Sequence, residues 1–127
     1  MIMDEVSQAN PTGHQAGAEM ADVPPVNVYE GNGQLSVAAP VPGAHPDHTQ
    51  VVVRPDRITI EARCKYPQES QHYHLRQWQV GCWRLEVPLH RRVDPAQSRA
   101  TLNLGVLVVM APISEGEVVG EHRPFVE

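Results

Sequence analysis

Histidine, cysteine, serine and lysine are the residues through which this chain of 127 residues could act on a bond or hold a metal. It has seven histidines, and His72-Tyr73-His74 would put two imidazoles on one face of an extended segment, a spacing that zinc accepts. Neither Cys-x-x-Cys nor His-Glu-x-x-His accompanies the pair. Further ligands would have to come from distant residues, so the histidines read as solvated loop positions. Cys64 and Cys82 each sit in or beside an apolar alternating run, without a helix start to lower a thiol pKa. Two cysteines are too few for a disulfide framework and read as half-buried thiols in a reducing compartment. No serine lies in Gly-x-Ser-x-Gly, and the one lysine, Lys65, follows Arg63-Cys64 rather than a glycine-rich loop, which excludes a P-loop. Glu115 and Glu117 are neighbours, but in a polar tail where carboxylates serve solvation. The residues therefore predict no enzyme, no metal site and no cofactor.

The elements that could position an interaction surface are strands. Twelve prolines and nine glycines favour short strands and turns, and this length suits a single packed core. Charge is uneven within a net of −5. Residues 1–25 carry Asp4, Glu5, Glu19 and Asp22 without a basic residue, and 113–127 carry four glutamates against Arg123. Such ends read as a disordered N-terminal arm and an acidic C-terminal tail, leaving 26–112 as the folded domain. No basic face exists for nucleic acid. No apolar run reaches the length of a membrane span and no signal core opens the chain, so the expected location is the cytoplasm.

Along the domain, Val26 and Val28 alternate with Asn27 and Tyr29, and Gly31-Asn32-Gly33 turns the chain into a strand ending near Pro40. Pro42-Gly43 closes it, and residues 44–48 read as a loop before a strand over 49–54. Ile58, Ile60 and Ala62 alternate with Thr59 and Glu61 after the Pro55-Asp56 turn. Residues 64–75 are polar and broken by proline, a long loop. Trp83, Leu85, Val87 and Leu89 then alternate with Arg84, Glu86, Pro88 and His90. The stretch Ala100–Pro112 joins two apolar strands at Gly105 and stops at a proline, a β-turn-β unit.

Ala100, Gly105, Val106, Leu107 and Pro112 resemble the signature of the small heat-shock protein (α-crystallin domain) family. The likeness continues through Val28-Tyr29-Glu30, Pro42-Gly43, Pro46-Asp47, Val51, Val53, Ile58-Thr59-Ile60, Gly81-Cys82-Trp83 and Val93-Asp94-Pro95, in order and with consistent spacing. The chain departs from the family pattern at several positions: His48 for an acid, Thr49 and Ser98 for aliphatic residues, His90 for a proline, Leu104 for a polar residue, and Leu85 for the family's arginine. Arg84 is one position away but has the opposite strand parity. These departures describe a divergent, bacterial-type member.

The resemblance implies an all-β fold, an immunoglobulin-like two-sheet β-sandwich, and an ATP-independent chaperone that binds partly unfolded client proteins. It also implies a homodimer formed by strand exchange, in which Gln71, His72, Tyr73, His74 and Leu75 of one copy pair with the edge around Val26 and Val28 of the other. Client contact is expected along a groove between strands 49–54 and 100–104, at Val51, Val53, Leu102 and Leu104. Many family members assemble further through an aromatic-rich arm and a C-terminal I/V-x-I/V triplet docked in that groove. The arm here lacks aromatic residues, and 113–127 has no such triplet, so a dimer with an open groove is expected. The same sandwich in CS-domain co-chaperones, which bind one folded partner, is the alternative.

Overall fold

The computed structural model describes residues 22–64, 71–78 and 81–127. Among these residues seven strands form two antiparallel sheets. Strands β1 (Asn27–Gly31), β2 (Gln34–Pro40), β6 (Arg99–Asn103) and β7 (Val106–Pro112) make the first, in the order β1-β2-β7-β6. Strands β3 (Ala44–Arg54), β4 (Arg57–Cys64) and β5 (Cys82–Pro88) make the second, in that order. The expected β-sandwich is thus the observed fold. Among the described residues no helix is long and apolar enough to cross a membrane.

Alternation builds the core. Ile58, Ile60 and Ala62 of β4 and Trp83, Leu85 and Val87 of β5 are buried, while Arg84, Glu86 and Pro88 face outward. They meet Leu35, Val37 and Ala39 of β2 and Leu107, Val109 and Ala111 of β7 in one continuous cluster. Leu85 stands opposite Ile60 and is buried among aliphatic side chains, a site with no room for a solvated cation. Arg84 points the other way and bonds Glu61, its cross-strand partner, at 2.6 Å. Strand β7 is apolar on both faces, since Val106, Val108 and Met110 alternate with the buried set and are only partly covered or exposed.

Turns set the registers. Asn32 and Gly33 both have positive φ, 56° and 76°, joining β1 to β2 in the geometry that matches strand twist. Leu104 and Gly105 do the same between β6 and β7, with φ of 54° and 81°. Strand β3 is longer than expected: residues 44–48 are not a loop but extend it, with a register shift against β4 between Ala44 and Thr49. An irregularity of this kind hides from alternation counting, because the extra residues break the period of two. Thr49 is buried, and its hydroxyl donates to the His45 carbonyl at 2.8 Å. Ser98 is likewise buried, donating to Pro95 at 2.7 Å within the short 3-10 turn Pro95–Gln97 capped by Asp94.

Two measurements follow. Leu107 is fully buried at the centre of the cluster, so Leu107→Ala should lower unfolding free energy by about 2–5 kcal/mol in urea titrations. Gly43 has φ +87°, and an added Cβ would lie 2.7 Å from Cys64 Sγ, so Gly43→Ala should cost more than about 1 kcal/mol in the same assay.

Candidate functional site: the groove between the sheets

Strands β3 and β6 are edge strands of opposite sheets, and their unpaired main-chain groups border one groove. The C-terminal tail lies in it. After β7, Ile113 bridges Val93, its N–H donating to Gly33 O at 2.8 Å, and Arg92 Nη2 donates to Val118 O at 3.0 Å. Gly120, with φ +93°, redirects the chain toward β3. There Val53 N–H donates to His122 O at 2.8 Å, and His122 N–H to Val53 O at 3.0 Å. Further on the tail reaches β6: Glu127 N–H donates to Ala100 O at 3.1 Å, and Leu102 N–H to Glu127 O at 2.9 Å. One segment therefore satisfies main-chain groups of both sheets.

Side chains add to this seat. Val126 is 6% exposed and belongs to the core cluster, Pro124 is buried, and Phe125 between them is 81% exposed. Glu121 forms ion pairs with Arg54 at 3.1 Å and with Arg123 at 3.2 Å. A cavity of about 440 Å³ remains between the Pro46–Val51 side of β3 and Arg123–Val126.

The groove expected open is thus filled by the chain's own tail. No aliphatic triplet signals this, because Pro124 stands where the first aliphatic residue would. Reading Pro124-Phe125-Val126 as inward, outward, inward would have found it. Of the expected contact residues, Val51 and Val53 are buried with their side chains in the core. Val51 also borders the cavity and Val53 holds the tail through its main chain. Leu102 is partly buried beside the tail. Leu104 is elsewhere, in the β6–β7 turn with its side chain 95% exposed.

The other edges differ in cover. Asp22, assigned by sequence to the arm, forms a parallel bridge with Trp83: its N–H donates to Cys82 O at 3.0 Å, and Arg84 N–H donates to Asp22 O at 2.9 Å. Residues 1–21 of that arm lie outside the described residues. Strand β1 pairs with β2 alone among the described residues; Val28 and Tyr29 are 43% and 53% exposed, and Val26 is partly buried against the core. Gln71–Leu75 is not a strand within the single chain. Tyr73 is partly buried with the Arg76 guanidinium 4.8 Å above its ring, and His72 and His74 meet edge to face at 5.4 Å. No group of three potential metal-ligating side chains forms among the described residues.

Cys64 and Cys82 are more deeply placed than expected: both are buried and unlinked, and Cys64 Sγ contacts Pro42 O at 3.5 Å. Trp83 Nε1–H donates to the same carbonyl at 3.2 Å, and its ring stacks on half-exposed Trp78 at 6.2 Å.

A family model described as "Hsp20/alpha crystallin family" matches residues 27–124, which includes most of the tail. Among solved structures, heat shock protein 16.0 from Schizosaccharomyces pombe is similar at 21% identity and a TM-score of 0.63, covering 76% of this chain and 71% of its own. The hspA protein from Xanthomonas axonopodis is 21% identical with a TM-score of 0.63, over 75% of this chain and 97% of its own. HSP18.5 from E. histolytica is 17% identical with a TM-score of 0.61, over 77% and 95%. No curated protein matches in sequence.

Proposed function

This chain belongs to the Hsp20/alpha crystallin family, and from that premise we propose that it is an ATP-independent holdase, binding partly unfolded proteins and keeping them from aggregating. The observation that carries the reading, beside the family match, is the inter-sheet groove, which already accepts an extended peptide through main-chain bonds to both β3 and β6. Recognition through main-chain groups tolerates many sequences, as a client binder needs. Burial of apolar surface, at roughly 25 cal/mol per Å², supplies the affinity that competes with client self-association. The exposed acids of the tail, Glu115 and Glu117 among them, would keep a loaded complex hydrated. The reading assigns no catalysis, no cofactor and no nucleic-acid or membrane contact, and buried free thiols suit a reducing cytoplasm.

A homodimer belongs to the same reading. An exposed edge with Val28 and Tyr29 outward invites a strand from a second copy, and Gln71–Leu75 is the segment proposed to supply it. Segments that pair only across an interface have no ladder in one chain, consistent with the irregular backbone of 71–75. The filled groove gives the alternative, a co-chaperone or scaffold module with one dedicated partner, its own weight: a groove closed to general clients suits it better.

Light scattering from a heat-aggregating model protein, without ATP, should fall when this chain is added near stoichiometric ratio. Unchanged scattering from a chain shown to be folded would turn the assignment to the dedicated-partner reading. Val28→Lys, which puts a charge on the proposed edge, and deletion of 71–75 should each halve the mass measured by light scattering coupled to size exclusion. An unchanged mass in both would remove the strand-exchange dimer.

A further inference from the structure

We propose that the corner around Leu104 is a second binding surface, separate from the groove, and that its occupant is a short apolar segment of an unfolded chain. The identity of that occupant rests on the chaperone reading; the surface itself does not.

The first sheet contains two hairpins of the same turn geometry. The β1–β2 turn is Asn32-Gly33 with φ of 56° and 76°, and the β6–β7 turn is Leu104-Gly105 with φ of 54° and 81°. Both turns need a first residue in the left-handed region, which asparagine enters readily and leucine does not. The chain thus uses the favourable residue at one corner and an unfavourable one at the other. Leu104 gains no packing in return, because its side chain is 95% exposed. A side chain that is both strained and unburied in the single chain has its use outside that chain.

Its surroundings are of the same kind. Val106, two residues on, is 40% exposed and pairs with exposed Pro40. Gly105 O accepts from Val41 N–H at 2.8 Å, and a Cβ at Gly105 would lie 3.7 Å from Pro42 Cα, so exposed Pro42 borders the same turn. Residues 34–44 and 100–114 contain no Asp, Glu, Lys or Arg, in a chain with 15 acidic and 10 basic residues. The outer face of the second sheet is the opposite, crossed by Arg57–Glu86 and Arg84–Glu61 ion pairs.

Size and charge select the occupant. The exposed parts of Leu104, Val106, Pro40 and Pro42 amount to a few hundred Å², well short of the roughly 800 Å² per partner that a stable dimer buries. The corner is therefore too small to hold a second folded copy. A charged segment would lose hydration there and meet no counter-charge. What fits is a few neutral apolar side chains on an extended backbone, closing around the projecting leucine. Such segments are what an unfolding protein exposes, and this corner is open where the groove is filled.

The test uses the full chain, labelled for amide NMR, titrated with the terminally blocked peptide Ser-Leu-Ser-Phe-Ser-Leu-Ser. The Leu104, Gly105 and Val106 signals should move together and give one Kd. Leu104→Asn copies the other hairpin, so its stability in urea should equal or exceed that of wild type while the peptide Kd rises at least fivefold. Val106→Lys, an outward charge at the same corner, should raise the Kd as much. No binding by wild type, shifts confined to the Val53 and Leu102 amides of the groove, or equal affinity in wild type and both folded variants would overturn the surface. So would a loss of stability in Leu104→Asn, which would show that the leucine serves the fold. Aggregation suppression by the same proteins reports on the chaperone reading separately. Peptide binding that depends on Leu104, without suppression by any of them, keeps the surface and removes the holdase; equal suppression by wild type and Leu104→Asn keeps the holdase and removes the corner as its client site.

Discussion

Every edge strand carries main-chain donors and acceptors that must find partners, and a two-sheet sandwich has four such edges. Most of what distinguishes this molecule is how it meets that demand. The β3 and β6 edges are met by the tail, the β5 edge by Asp22, and β1 keeps its outer side uncovered among the described residues. Both flanks of the polypeptide thus return to the sandwich as single bridges instead of continuing as full strands. Such bridges add few contacts apiece, which places them at the low-stability end of the structure and makes them the parts able to exchange for another chain.

Much of the sandwich was legible because burial alternates with a period of two. Ile58-Thr59-Ile60 and Trp83 through Val87 declare both strand and inward face, and the Gly105 and Gly33 turns mark where the chain reverses. The extension of β3 back to Ala44 was not legible, since a register shift interrupts the period and Pro46 argues locally against a strand. The tail was least legible of all. Its seat depends on main-chain bonds to Val53, Ala100 and Leu102, and main-chain bonding leaves no trace in side-chain identity. Only Val126 is an aliphatic anchor there, with Pro124 its one buried companion in a stretch otherwise polar, charged or aromatic.

The departures from the family pattern have local explanations. Thr49 and Ser98 replace aliphatic residues at buried sites, and each hydroxyl donates to a carbonyl three or four residues earlier, so neither of these two donors is left unmet. Leu85 fills an inward position opposite Ile60, converting a site for charge into part of the core. The exposed Leu104 has no such account in the single chain.

Strand β7, Val106-Leu-Val-Val-Met-Ala-Pro112, is apolar at every position, so its composition holds no information about which residues face inward. Shifted by one residue, it would offer an equally apolar face to the core. The choice has to be made outside the strand, and the two-residue turn at Leu104-Gly105 makes it, because that turn admits only one pairing of Asn103 with Val106. The hairpin that closes the β6 side of the first sheet is thereby addressed by its corner and not by its length.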